Sequence, residues 1–438
     1  MARLLVSALA LWQWPVASAL NIAITGTSQG IGLSAARRLV LDGHTVIHAC
    51  RTAESADAAV AAAGGGVPMV CDLADLKSVK AFAEAMPTDV DVLCLNAGVA
   101  PSTKAAEATF TADGFEVCVG TNHLGHFALA QLAAPALEKR GGLFVVTASS
   151  VHDPLQPGGD VGGKGGATLG DLSGFFGKKT GSAMVDGGAY DGGKAYKDSK
   201  LANVLFLVEA QKRFGGKVRV RAFNPGFIPA SGLFREPRKD NFVFATAFTA
   251  IATLAGLAVP VDVGGARLAY MATAPDSEVP PGSYLSAKTG SKGVTVADGF
   301  EPAAVSAEAA DAALAAKLWD ASAAAVSAEI GAAPVAGKLS MAGLKKFGAA
   351  GTLAYILTEL AFWAAAFPAA AAALYNTQGH WPDFADNGDR AAVLGFVFAG
   401  ANVARLAVPL RFGVAFAVAP WVDANIIQRF QKPDAAEI

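Results

Sequence analysis

Residues 21–32 read NIAITGTSQGIG, and residues 190–201 read YDGGKAYKDSKL. The first stretch is a short β-branched run that breaks into Gly26, Ser28, Gly30, Ile31 and Gly32, then continues as the amphipathic LSAARRLVLDG. Glycines at such a junction permit a tight turn and close approach of the backbone to a pyrophosphate, which then sits at the positive N-terminus of the helix. The second stretch sets Tyr196 four residues before Lys200, so both side chains share one helix face. A dinucleotide turn and a phenol beside an ammonium together suggest hydride chemistry with a proton donor.

Working outward, β-branched runs alternate with amphipathic stretches from about residue 20 to 300: NIAIT, HTVIHAC, VPMVC, DVLCLN, GLFVVTAS and VRVRAFN. That alternation predicts an α/β fold, a doubly wound parallel sheet of the Rossmann type, whose ligands bind at the carboxyl ends of the strands. Polar residues collect at those ends. HTVIHAC is followed by Arg51, where an enzyme for NADH would place an acid for the ribose 2′-hydroxyl. A guanidinium there suits the 2′-phosphate of NADPH, and a solvated surface arginine is the alternative. CDLAD brings Asp72 and Leu73 to the adenine side, and LNAG brings Asn96, Ala97 and Gly98 to the end of the fourth strand. TNHLGHF supplies Asn122 and TASSV supplies Ser150. In this reading Tyr196 donates the proton, Lys200 lowers the phenol pKa and binds the nicotinamide ribose, Ser150 holds the reacting oxygen, and Asn122 orders a relay water.

The bulk properties bound the partners. A length of 438 residues implies two or more folded units. Charged residues are 16% of the chain, against about 25% in a usual soluble domain, so some surface is expected to face lipid. A net charge of −2 offers no field for nucleic acid. The expected partners are a small molecule and a membrane, and a homo-oligomer is compatible with the chain. Cys50, Cys71, Cys94 and Cys118 show no CxxC spacing and read as buried free thiols. His123 and His126 lack a Cys or acidic ligand at metal spacing, so no metal site is expected.

At the N-terminus, residues 1–19 carry Arg3, an apolar run and Ala17-Ser18-Ala19, the A-x-A form of a signal cleavage site. Residues 20–325 form the expected dinucleotide domain, interrupted by a glycine-rich insertion over 156–193 that reads as a functional or disordered loop. An Ala-rich helix through Glu308, Asp311, Lys317 and Asp320 leads to a linker over 326–340. Beyond it, 347–375 and 391–422 are each long enough to span a bilayer core of about 30 Å. They predict a two-helix membrane hairpin within 341–427, with a Glu359–Arg405 pair inside it, Arg411 as a further charge, and a polar tail over 428–438. Buried soluble helices are the alternative.

The constellation over roughly 20–325 resembles the short-chain dehydrogenase/reductase superfamily. FTADGFEVCVGTNHLGHF, GDLSGF, MVDGGAYDGGKAYKDSKLAN, PGFIPASGLFRE and SAEAADAALAAKLWDAS look like the light-dependent protochlorophyllide oxidoreductases. That resemblance implies hydride transfer from NADPH to a tetrapyrrole double bond, with Tyr196 giving the proton to the adjacent carbon, in a plastid; an endoplasmic reticulum or secretory route is the alternative. It also implies cofactor contacts from Pro225, Gly226 and Ser231. Where that family reads Tyr-Pro-Gly-Cys-Ile, this chain has Asn224-Pro225-Gly226-Phe227-Ile228, so Phe227 stands where a pigment-binding cysteine is expected. Ala230 and Ser231 replace a threonine pair. KKFGAAGTLAYILTEL and NVARLAVPLRFGVAFAVAPWV resemble a small organelle-membrane domain of uncharacterised function. Two rival readings remain: a membrane-bound reductase of lipophilic carbonyls or retinoid-like alcohols with the same four residues, and a non-catalytic NADPH-binding membrane scaffold.

Overall fold

The computed structural model describes residues 19–102, 105, 107–160, 165–177, 181–232 and 242–330, with isolated positions beyond. The expected strands form β1 (Asn21–Thr25), β2 (Thr45–Cys50), β3 (Val67–Val70), β4 (Val92–Leu95), β5 (Leu143–Thr147) and β6 (Arg219–Phe223). Two further strands, β7 (Tyr284–Ala287) and β8 (Phe300–Pro302), complete an eight-stranded sheet in the order β3-β2-β1-β4-β5-β6-β7-β8. All neighbours are parallel except β7 and β8. β7 and β8, of four and three residues, lack the β-branched run that announces the other short strands, β3 and β4, and so escaped the sequence reading. The chain winds one way from β1 through β2 to β3 and the other way from β4 onward. The crevice between β1 and β4 is therefore the topological switch point, where such sheets bind ligands.

Helices α1 (Gly30–Leu41), α2 (Ala53–Ala63), α3 (Leu76–Ala85), α4 (His126–Glu138) and α5 (Gly192–Arg213) cover the sheet together with α7 (Val261–Thr273) and α8 (Ala312–Ile330), while α6 (Phe242–Leu254) precedes α7 in the chain. One apolar core on the α4, α5 and α8 side includes Phe127, Phe144, Leu205 and Trp319; another, on the α1 and α7 side, includes Ile22, Ile24, Val145 and Leu268. Trp319 anchors the first core, stacked on Phe206 with ring centroids 5.7 Å apart and edge-on to Phe127 at 4.9 Å.

The polar sequence of α5 is nonetheless buried, because its charges find partners. Lys194 Nζ lies 2.6 Å from an Asp198 carboxylate oxygen and 3.0 Å from one of Asp186, and Lys197 Nζ donates to Gly165 O at 2.8 Å. Asp191 caps the helix, its carboxylate accepting from Lys194 N.

The described parts of the glycine-rich insertion are packed, with Leu169, Leu172, Phe175, Met184 and Val185 in the interior. Glu308 ties it down, accepting from Leu169 N at 2.8 Å and Thr168 Oγ1 at 3.1 Å. Glu308 and Asp311 thus precede α8 instead of lying within it; the Asp311 carboxylate accepts from Ala313 N and Leu314 N as an N-terminal cap does. The helix runs five residues past 325 and buries Val326 and Ile330.

The chain divides into two compact units, Met1–Pro334 and Val335–Ile438. Among the described residues, no helix is long and apolar enough to cross a membrane. Apart from isolated positions, the segments 347–375 and 391–422, with the expected hairpin and its Glu359–Arg405 pair, lie outside the described residues, as does the A-x-A signal segment up to residue 18.

Candidate active site

The glycine turn is shaped by what cannot fit. Gly26 has φ +74° and its Cβ position lies 2.9 Å from Ala97 Cβ, so a side chain would push apart the ends of β1 and β4. A methyl on Gly32 would collide with Gly26 O and stand 2.7 Å from Asn96 Nδ2. Gly30, at φ +62°, has open space, its nearest neighbours being Gly232 N at 3.9 Å and Ser231 Cβ at 4.0 Å. The first turn of α1 has no side-chain cap from Gln29, so its leading N–H groups face this space. Open room over a positive-φ glycine and uncapped N–H donors fit the pyrophosphate of a dinucleotide. Ser28 is exposed and Ile31 half-buried beside them.

Asn96 and Ala97 are held by Thr25 at the end of β1. Its Oγ1 accepts from Asn96 N at 2.9 Å and Ala97 N at 3.0 Å, while Asn96 Nδ2 donates to Thr25 O at 2.8 Å. Thr147 Oγ1 donates to Asn96 Oδ1 at 3.2 Å, so Asn96 spans three strand ends. Arg51 is exposed just past β2. Asp72 follows β3 and its carboxylate accepts from Ala74 N, and Leu73 is buried against the Gly125 backbone.

Asn122 lies in a π-helical turn, Val119–Gly125, that leads into α4. Its side chain is fully buried: Oδ1 accepts from Val99 N at 2.8 Å, and Nδ2 donates to Val99 O and to Ser199 Oγ, each at 2.9 Å. Such a wide turn often marks a functional site. Gly98 sits against this group, its Cβ position 3.4 Å from Asn122 Oδ1 and 3.7 Å from Lys200 Nζ.

Lys200 is buried and donates to Thr147 O at 3.1 Å; its Nζ lies 5.6 Å from the centre of the Tyr196 ring. Burial pushes the Lys200 ammonium down to about 8. The Tyr196 phenol is pushed up, by burial first and then by the Cys118 thiol, against a lowering hydrogen bond with Ser149. Two expectations are corrected here. Ser149 is the hydroxyl that acts to lower the Tyr196 phenol, its Oγ also accepting from Val151 N at 3.4 Å, whereas Ser150 opens the 3₁₀ turn Ser150–His152. Nor does Lys200 lower the phenol: its ammonium bonds a carbonyl, and burial dominates, so Tyr196 keeps its proton at neutral pH.

The loop after β6 forms the far wall. Gly226 has φ +95° and its N–H donates to Asn224 Oδ1 at 3.1 Å. Phe227 is half-buried, its carbonyl accepting from Val259 N, and Ser231 lies over Gly30. Sequence reasoning missed what holds this loop. Arg267 of α7 is buried, with its guanidinium donating to Pro225 O at 2.9 Å, Ser291 O at 2.8 Å and Gly293 O at 2.8 Å. An arginine on the apolar face of GGARLAYMA was the available signal. Also missed was Glu116, which is buried, with one carboxylate oxygen accepting from Cys118 N and Val119 N and the other without a partner.

Fold and site together define a nucleotide-binding oxidoreductase of the doubly wound α/β class, built for a nicotinamide dinucleotide. The sequence matches the short chain dehydrogenase family over residues 20–158. It is 39% identical over 321 residues to a chloroplastic protochlorophyllide reductase of Pisum sativum, covering 69% of this chain and 76% of that one. With the Cucumis sativus enzyme of the same name the identity is 38% over 317 residues, with the same coverage. Among solved structures, an uncharacterized protein from Mycobacterium paratuberculosis superposes with a TM-score of 0.51 at 29% identity, over 72% of this chain and 97% of that one. The chain belongs to the short-chain dehydrogenase/reductase family and stands close to the protochlorophyllide reductases.

Proposed function

We propose that the protein is an NADPH-dependent reductase of a tetrapyrrole double bond, with protochlorophyllide as substrate. The observation that carries the reading is the Tyr196 phenol, which keeps its proton at neutral pH with Lys200 Nζ 5.6 Å from its ring, in a chain 39% identical to a protochlorophyllide reductase. Bound NADPH supplies two electrons as hydride to one carbon of a C=C bond. Tyr196 gives its proton to the adjacent carbon, so one double bond becomes single, and the phenolate is reprotonated from solvent. Ser149 steadies the phenol, Lys200 binds the nicotinamide ribose, and Asn122 clamps the end of β4 to α5. The choice of NADPH over NADH rests on Arg51, positioned beyond β2 for a 2′-phosphate.

Chloroplastic relatives favour a plastid location, and the apolar segments 347–375 and 391–422 favour tethering of the second unit to a membrane. Phe227 favours a second reading, a reductase of other lipophilic substrates, because a phenyl ring lines an apolar pocket but cannot supply the thiol of a cysteine. One assay separates these. Purified protein is given protochlorophyllide with NADPH or NADH, illuminated and dark, beside a panel of lipophilic aldehydes and ketones. Pigment reduction with NADPH, lost in Tyr196→Phe with dinucleotide binding retained, is the expected result. Turnover of carbonyls without pigment reduction supports the second reading, and no turnover of any substrate despite tight NADPH binding supports a scaffold.

A further inference from the structure

His126 opens α4 directly below the crevice, and its ring is almost fully buried. Its Nδ1 lies 3.0 Å from the carbonyl oxygen of Asn122. A carbonyl has no proton to give, so Nδ1 carries the hydrogen and donates. Burial, together with the nearby Lys200 ammonium, opposes a second proton on the ring and pushes its pKa down to about 4, against a raising bond with Asn122 O. The neutral ring therefore presents a lone pair at Nε2, 2.9 Å from Thr25 Oγ1. Thr25 donates to it, and the two lone pairs of that hydroxyl accept from Asn96 N and Ala97 N. The rival acceptor, Cys94 O, is longer at 3.2 Å. Main-chain geometry explains why the ring is needed: the His126 N–H goes to His123 O, and the ring supplies the bond from residue 126 to Asn122 O.

From Asn122 the path continues. Asn122 Nδ2 donates to Ser199 Oγ, and Ser199 Oγ donates to the carbonyl of Tyr196 at 2.6 Å. We infer that His126 is a positioning residue, whose ring couples the dinucleotide turn at the end of β1, through Asn122 and Ser199, to the helical turn that carries Tyr196. The inference rests on the reading of Tyr196 as proton donor. A histidine that merely fills the core would tolerate an apolar ring of similar shape with a change in stability alone; a coupling histidine would not.

The test uses the full chain. Nitrogen-15 spectra of the histidine rings are expected to show His126 as the neutral Nδ1–H tautomer at about pH 7 and still at about pH 5.5; an Nε2–H tautomer or an imidazolium at either pH overturns the assignment. NADPH is expected to shift the Asn122 side-chain amide resonances in the wild type and in His126→Asn, whose amide nitrogen can replace Nδ1, but not in His126→Phe. An equal shift in His126→Phe overturns the coupling without needing a substrate. In illuminated protochlorophyllide turnover, His126→Phe is expected to lose kcat by at least ~10-fold with the NADPH Kd within ~2-fold, and His126→Asn to recover most of the loss. Equal kcat in the two variants, or wild-type kcat in His126→Phe, overturns the proposal. Turnover retained in Tyr196→Phe would instead overturn the donor reading and leave the ring assignment standing.

Discussion

At the scale of single residues, the site turns on which of two adjacent serines meets the phenol. Sequence order could not separate Ser149 from Ser150, because both stand in TASSV at the end of the fifth strand. Ser149 is the one that acts to lower the Tyr196 phenol, while Ser150 opens the 3₁₀ turn that follows β5. Ser149→Ala is therefore expected to lower kcat by roughly 100-fold, the effect of removing a group that orders proton transfer, whereas Ser150→Ala stays within about 3-fold of wild type. Steady-state kinetics on the two variants checks this, and the reverse ranking would return Ser150 to the site. Tyr196 itself was legible, because a tyrosine and a lysine at helical spacing need no tertiary information to share a face. The balance of its pKa was not legible, since burial and the Cys118 thiol act through packing.

At the scale of elements, the glycine turn and α1 form one unit with the ends of β1 and β4. Gly32 is the tightest point, since a methyl there meets both the Gly26 carbonyl and the Asn96 amide that ties three strands together. Gly30 has room but a left-handed backbone. Gly32→Ala is expected to destabilise the fold by about 2–4 kcal/mol, through overpacking and a broken buried hydrogen bond, and to abolish NADPH binding. Gly30→Ala should cost only about 1–2 kcal/mol of backbone strain. Denaturant unfolding with fluorescence titration of NADPH ranks the two, and equal losses would show that crowding at Gly32 is relieved by a shift of the turn. The glycine spacing announced the turn; that Gly32 guards Asn96 and not only the pyrophosphate emerged from the approach of α1 to β4.

At the scale of the whole molecule, the folded state carries a buried acid whose charge it opposes. Burial pushes Glu116 from its ordinary 4.5 up to about 7, although Cys118 N and Val119 N donate to it, and the Asp198 charge adds to the rise. The groups facing it include the Cys118 thiol and the Tyr190 phenol, whose hydroxyl also lacks a partner. A carboxyl with a raised folded pKa favours the fold fully below its unfolded value, and that contribution is lost as pH rises through about 7. Glu116→Gln removes the titration while keeping an acceptor for the two amides. The Tm of the variant minus that of the wild type is therefore expected to grow as pH is raised from about 4.5 to about 7.5. Differential scanning calorimetry across that range measures it, and a constant difference would show that Glu116 is charged throughout.

What the sequence determined by itself was everything written in short-range pattern. Six parallel strands, the glycine turn, the helix bearing Tyr196 and Lys200, and the gathering of Asn96, Ala97 and Gly98 at the end of β4 all follow from alternation of apolar residues and from spacing within one element. The tertiary structure alone decided the contacts between elements far apart in the chain. It chose Ser149 over Ser150, put Arg267 under the Pro225 carbonyl 42 residues away, packed the glycine-rich insertion against Glu308, and set His126 between Thr25 and Asn122. The physical reason is common to all four. Each depends on a polar side chain finding partners on distant elements, and such groups are satisfied by whatever packing brings within about 3 Å, a distance that no periodicity along the chain encodes.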